Sequence, residues 1–362
     1  MTTPALTPVT LLTGFLGSGK TTLLQKLLTD PGMARAAVLI NEFGEIGLDH
    51  QLLDRIDDNV VLMKSGCICC TVRGEVADAL INLDEMRASG EIDFDRVVIE
   101  TTGLADPYPV LQTLQAHPVL RSHFRSGGVL TTVDAVNASA QMDHRAEAVR
   151  QIAAADRIVL TKTDLSGDVT DLRAALARVN PVARVLTSDQ GAAEILGDLD
   201  TTRDLIEPET ETETCGTCGH DHAPGAHHPH GHDHDHRDHH GHHHHDETLG
   251  VVTFSLTVEQ PLDWTDFGIW MTLLLHRHGD RIFRVKGILA LAGETRPVAI
   301  HGVQHLVHAP VHMEHWPDGP RHSRLVFILE GLDPALIRRS FHAFIRLNDA
   351  RGAQAAKGEE AA

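Results

Sequence analysis

Thr10-Leu11-Leu12-Thr13-Gly14-Phe15-Leu16-Gly17-Ser18-Gly19-Lys20-Thr21-Thr22 is the stretch whose reading decides the fold. An apolar run from Val9 to Leu12, too short for a helix, delivers a loop of the form G-x-x-x-x-G-K-[ST], and helical spacing follows from Thr22 to Leu28. Strand, glycine-rich loop and helix in this order make a phosphate cradle. Gly14, Gly17 and Gly19 let successive backbone N–H groups turn inward with no Cβ in the way, and the helix N-terminus adds its partial positive charge toward the same anion. Lys20 is placed to reach the β- and γ-phosphates and the Thr21 hydroxyl to ligate Mg²⁺, with Ser18 and Thr22 completing the nucleotide-binding set.

Outward from this anchor, strand-like segments over 36–41, 60–63, 96–100, 127–133, 157–161 and 183–186 alternate with helical patterns over 72–87, 107–115, 145–154 and 169–179. The pattern predicts an α/β fold, a P-loop NTPase with a mainly parallel sheet covered on both faces, whose ligands sit at the carboxyl ends of the strands. The expected domains are a nucleotide-binding unit over 1–206, a linker over 207–248, an α+β unit over 249–350 and a tail over 351–362. In the second unit, strands are expected over 249–258, 282–291, 298–307 and 325–329, with helices over 262–277 and 334–347.

Charge and composition narrow the partners. The 362 residues carry 31 Lys and Arg against 50 Asp and Glu, for a formal charge of −19 with histidine neutral. No basic cluster stands out, which argues against nucleic acid as the main partner. No apolar run approaches a membrane span and the first residues lack a basic leader, so a cytoplasmic protein is expected. The five cysteines come in two tight groups, Cys67, Cys69, Cys70 and Cys215, Cys218, which read as metal ligands or reactive thiols and not as a disulfide framework.

Several strand ends carry chemistry. Asp164, in Thr161-Lys162-Thr163-Asp164, can accept two hydrogen bonds from guanine N1–H and the 2-amino group, where adenine offers no matching donors, so GTP is preferred over ATP. Thr161 stands where GTPases usually carry Asn, and Thr187-Ser188 could complete the base pocket. Glu100, in Glu100-Thr101-Thr102-Gly103, lies where it can hold Mg²⁺ through water or orient the attacking water, and Gly103 can offer its N–H to the γ-phosphate.

Gly66-Cys67-Ile68-Cys69-Cys70 places three thiols within four residues, on an expected loop; as thiolates they suit Zn²⁺ or Cu(I) far better than Mg²⁺. Three sulfurs leave a tetrahedral ion one ligand short. The segment Asn41-Glu42-Phe43-Gly44-Glu45-Ile46-Gly47-Leu48-Asp49 can supply it, with Glu45 the first choice and Glu42 the second.

The linker between His220 and His245 holds 14 of the chain's 27 histidines, interleaved with aspartates. Such a tract offers many overlapping weak sites for Zn²⁺, Ni²⁺, Co²⁺ or Cu²⁺ without geometric choice, an antenna and not a selective site. His301, His305, His308, His312 and His315 in the last unit read instead as strand-face and loop histidines at the domain surface.

GFLGSGKTT, NEFGEIGLD, SGCICC, ETTG and TKTD, in this order and spacing, resemble the CobW-type family of P-loop GTPases, whose members handle metals. Val285-Lys286-Gly287, His301-Gly302-Val303-Gln304 and the residues from Ser323 to Phe327 resemble that family's C-terminal domain. The resemblance implies GTP hydrolysis coupled to delivery of a metal, most often zinc, to a client enzyme, with the cysteines as the delivery site. Some members serve cobalt insertion in cobalamin synthesis, and a storage or sensing protein in which GTP only sets conformation is the alternative from another class. Nothing in the sequence sets the oligomeric state.

Overall fold

The computed structural model describes residues 6–40, 61–64, 68–197, 250–317 and 319–345. Seven strands, β1 (Thr7–Gly14), β2 (Ala36–Ile40), β3 (Val61–Lys64), β4 (Arg96–Glu100), β5 (Phe124–Asp134), β6 (Arg157–Thr161) and β7 (Arg184–Thr187), form one sheet in the order β3-β2-β4-β1-β5-β6-β7. Every pairing in it is parallel. Such a sheet must be covered on both faces, and two apolar clusters cover it. Leu23, Leu24 and Leu27 of helix α1 (Lys20–Leu28) pack on Leu12, Val38, Val98, Leu130 and Val159 on one side. On the other side lie helices α2 (Ile68–Ala88), α3 (Tyr108–Ala116), α4 (Ala146–Ala154) and α5 (Thr170–Val179), which contribute Leu80, Leu111, Ile152 and Leu176.

The central position of β1 places the phosphate loop in the middle of the sheet, with Leu12 level with Glu100 of β4 and Gly14 level with Thr132 of β5. β5 is longer than the expected 127–133. Its polar start is concealed by a bulge between Val9 and Leu11, opposite Gly127 and Gly128, where φ is +89° at Gly128 and a Cβ on Gly127 would lie 2.9 Å from Thr10 Oγ1. The cysteine motif also differs from its expected loop setting. Helix α2 begins at Ile68, because neither proline nor glycine interrupts residues 68–73, so Cys69 and Cys70 belong to its first turn.

The second sheet is antiparallel, in the order β11-β10-β9-β13-β8, built from β8 (Val251–Val258), β9 (Ile282–Leu289), β10 (Val298–Val303), β11 (Leu306–Val307) and β13 (Ser323–Glu330), with β12 (Val311–His312) also pairing β10. The expected strand over 298–307 is two strands. The chain turns back at Gln304, φ +51°, and Gly302 faces Val307. Helix α6 (Trp264–His278) starts later than expected, because the Asp263 carboxylate caps it by accepting from Asp266 N at 2.9 Å while Leu262 bridges to Leu291. With a closing helix α7 over 334–345, α6 covers a second core around Trp270, Phe327 and Phe341.

β9 is buried along its whole length because both its faces are covered. Phe283 joins the core of the nucleotide-binding unit, whereas Val285 and Leu289 belong to the second core. Arg284, 3% exposed, donates to Ala154 O at 2.6 Å and to the Asp156 carboxylate. Burial pushes the Asp156 carboxyl up, but Arg284, Lys286 and the Val129 N–H outweigh it and hold it below the usual range. Beside this pair sits His301, 7% exposed and so inside the domain junction, not at the surface as its sequence suggests. β9 and β10 pair at His301 and Lys286, which draws the ring into the same junction.

Candidate nucleotide and metal site

The phosphate loop folds as its glycines require. Gly14, Gly17 and Gly19 have φ of +145°, +73° and +83°, and a Cβ on Gly14 would fall 2.3 Å from Thr132 Oγ1 and 2.7 Å from Ser18 Oγ. Gly19 forms the N-cap of α1 with no side-chain cap, and the first turn holds no acidic residue, so the helix N-terminus is left for an anion. Lys20, 9% exposed, donates from Nζ to Gly14 O at 2.9 Å and Phe15 O at 3.4 Å, which arches its ammonium over the loop. Buried Ser18 bonds Thr132 Oγ1 at 2.7 Å, tying the loop to β5, and Thr22 is exposed on the first turn of α1.

Thr21 Oγ1 donates to Glu100 Oε1 at 2.7 Å. A hydroxyl and a carboxylate converging beside a phosphate cradle are hard oxygen donors of the kind Mg²⁺ takes, and this corner could hold it. Beyond Glu100, Thr101 N donates to Leu12 O at 3.0 Å, and Gly103 approaches the loop so closely that a Cβ there would sit 2.7 Å from Leu16 Cα.

The base-side residues arrive on β6. Thr161, 6% exposed, uses its hydroxyl on Ser18 O at 2.8 Å, and so braces the phosphate loop instead of presenting a polar group to a base. Lys162, in the left-handed region at φ +55°, donates to Gly17 O at 2.8 Å and Asp134 Oδ2 at 2.7 Å. Asp164 is exposed in the short helix that follows, free to meet a base edge. Ser188 donates its N–H to Leu160 O at 2.9 Å and accepts from Lys26 Nζ, which docks the loop after β7 against α1.

Asp134 and Gln151 are parts of this site that the sequence reading missed. Burial raises the Asp134 carboxyl, but hydrogen bonds from Lys162, Asn137 and the Val136 N–H overcome it and leave it below its ordinary value. An acid at the end of an apolar strand, as at Glu100, was the available signal. Gln151 carried none: it lies mid-helix, 1% exposed, and donates to Gly103 O at 3.2 Å and Ala105 O at 3.0 Å.

The metal side divides differently. Cys69 and Cys70 stand in the first turn of α2, whereas Cys67, Glu42, Glu45, Cys215, Cys218 and the histidine tract lie outside the described residues. Among the described residues, no group of three His, Cys, Asp or Glu side chains could hold a metal; His301 and His308 approach only as a pair, ring centroids 6.4 Å apart. No helix among the described residues is long and apolar enough to cross a membrane.

A P-loop on the central strand of a parallel sheet, a Thr–Glu corner beside it and a base loop two strands away define a nucleotide-binding protein of the P-loop class. The chain belongs to the CobW/HypB/UreG family: residues 8–187 match its nucleotide-binding domain and residues 251–345 match the cobalamin synthesis protein CobW C-terminal domain. It is 37% identical over 333 residues to the zinc chaperone YjiA of Escherichia coli, spanning 92% of this chain and 97% of that protein. It is 35% identical over 201 residues to the zinc-regulated GTPase metalloprotein activator 1 of Schizosaccharomyces pombe, 53% of this chain and 48% of that protein. The crystal structure of the Zn(II)-bound YjiA GTPase superposes with a TM-score of 0.70 at 31% identity, covering 94% of this chain and 99% of the other.

Proposed function

We propose that this chain hydrolyses GTP and uses the cycle to deliver zinc to a metal-dependent client protein in the cytoplasm. The observation that carries the reading is a register. Ile40, the last residue of β2, is level with both Lys64 at the end of β3 and Glu100 at the end of β4. The strand ends that precede the segment bearing Glu42 and Glu45 and the segment bearing Cys67, Cys69 and Cys70 are therefore neighbours, and both lie on the side of the sheet that holds Glu100, which supports reading the two segments as parts of one site. In this reading the phosphate cradle is Gly14, Gly17, Ser18, Gly19, Lys20 and Thr21, Gly103 faces the γ-phosphate and Asp164 reads guanine. Mg²⁺ at the Thr21–Glu100 corner would neutralise charge on the β- and γ-phosphates.

Zinc is favoured over cobalt as cargo by the donor set and by the relatives. Cysteine sulfur donors suit Zn²⁺, and a Pseudomonas aeruginosa relative that carries the CobW name, 33% identical over 239 residues, is itself named a zinc chaperone. If GTP orders the glutamate segment beside the cysteines, it completes the ligand set and hydrolysis dismantles it. Linkage then requires zinc to tighten GTP binding by the same factor, on the order of 5- to 150-fold for typical coupling. The test is a zinc titration against a chromogenic chelator, with a non-hydrolysable GTP analogue and with GDP, on protein lacking residues 215–245 and on its Cys69→Ala and Glu45→Ala variants. Tighter binding with the analogue, lost in both variants, is expected; equal affinity in the two nucleotide states would remove the delivery mechanism.

A further inference from the structure

Two consecutive residues of α4 connect the segment after Glu100 to the second sheet. Gln151 holds that segment by Gly103 O and Ala105 O, and its own carbonyl accepts from Thr131 Oγ1 at 2.9 Å, which pins α4 to β5. Arg150 points elsewhere, since neighbours on a helix diverge by about 100°. It donates to both carboxylate oxygens of Glu330, at the end of β13, at 3.1 and 3.2 Å, and its guanidinium lies 5.8 Å above the Phe283 ring.

The far end of the same segment is held from the same domain. Asp106 Oδ1 accepts from Tyr108 N at 3.0 Å, and the Tyr108 ring, 1% exposed, stacks on Phe283 with centroids 5.9 Å apart and 23° between planes. Gly103 thus lies between two grips that both lead to the C-terminal domain. Its contact with Leu16 leaves no space between the segment and the phosphate loop, so a shift of one requires a shift of the other.

We infer that Gln151 is a positioning residue for GTP hydrolysis, and that docking of the C-terminal domain through Arg150–Glu330 and Tyr108–Phe283 sets the position it enforces. Nucleotide state and domain docking are then coupled, each biasing the other equally. The inference rests on the reading of Glu100 to Gly103 as the γ-phosphate segment, and the experiment separates the two.

Steady-state GTP hydrolysis is measured for the full chain and for Gln151→Leu, Glu330→Gln and Glu100→Gln, together with hydrogen exchange across 282–289 and 323–330 in GDP and in a non-hydrolysable GTP analogue. Loss of Gln151's two hydrogen bonds should lower kcat about tenfold, with KM for GTP within about twofold, because Gln151 makes no hydrogen bond of its own to the phosphate loop or the base loop. In the wild type, exchange in the two strands should differ between nucleotides, and Gln151→Leu and Glu330→Gln should both erase the difference. Should the buried Gln151→Leu fail to fold, the partly exposed Glu330→Gln decides alone. Nucleotide-independent exchange in the wild type, or a difference that survives Glu330→Gln, overturns the coupling. An unchanged kcat in folded Gln151→Leu overturns the positioning role. An active Glu100→Gln would instead remove the underlying reading of the segment.

Discussion

His301 makes the junction between the two domains sensitive to acid, and the size of the effect follows from its surroundings. Burial, then Lys286 and Arg284, then His308 disfavour its charged form more than Asp156 favours it, and its pKa falls from 6.5 to about 3. In the folded chain the ring is neutral throughout the mildly acidic range, whereas in the unfolded chain it takes a proton below about pH 6.5. The unfolded state binds more protons, so stability is full above that value and declines as pH falls toward the folded pKa. At about pH 5.5, one unit below the unfolded value, the loss is on the order of 1 kcal/mol, and it is roughly twice that at about pH 4.5. The first figure is the same wherever the folded ring titrates below about pH 4.5. The perturbation is His301→Gln, which keeps a polar side chain of similar reach and cannot titrate. All three tryptophans, Trp264, Trp270 and Trp316, lie in the C-terminal domain, so urea unfolding followed by tryptophan fluorescence reports on that domain. Between about pH 7.5 and 5.5 the wild type should lose on the order of 1 kcal/mol more than the variant. Equal losses would refute the argument, since every other titratable group is common to both proteins.

Gly14→Ala should reduce GTP affinity tenfold or more in equilibrium nucleotide titration, because a Cβ 2.3 Å from Thr132 Oγ1 and a positive φ force the loop off its path. Lys162→Met keeps the stem but removes the amine that joins Gly17 O to Asp134. The loss of two charge-assisted hydrogen bonds should raise KM for GTP roughly tenfold while the preference over ATP, assigned to Asp164, survives; steady-state kinetics with both nucleotides checks it.

What was legible in the sequence is what local chemistry dictates. The P-loop glycines can serve only a backbone that turns left-handed, Glu100 ends an apolar strand, and the alternation of strand and helix fixes a parallel sheet. What was not legible depends on residues distant in the chain. Thr161 looks like a weakened base reader until Ser18, 143 residues earlier, claims its hydroxyl. Gln151 reads as an ordinary helix position, and only the packed fold brings it to Gly103 and Ala105. His301 follows a pattern of scattered surface histidines; its burial comes from a domain contact through Arg284 and Asp156 that no periodicity encodes. The helix start at Ile68 was hidden because cysteines and a β-branched threonine have poor helix propensity, which tertiary context overrides.

The sheet order also separates two routes that begin at the same phosphate. Toward the sheet edge, Glu100 is followed by the ends of β2 and β3, the strands that precede the glutamate and cysteine segments in the chain. Toward the helical face, Gly103 and Ala105 are held by Gln151, and α4 leads to Glu330 and Phe283. Among the described residues, the routes meet at the segment from Glu100 to Gly103. Beyond that segment the two sets of interactions have separate partners, so with the same nucleotide bound, perturbing the cysteine side should leave the domain-docking response intact, and the reverse. Because of that independence, a client that engages the C-terminal domain could alter the rate of hydrolysis without touching the zinc ligands. The timing of metal release would then be set by the protein that receives it.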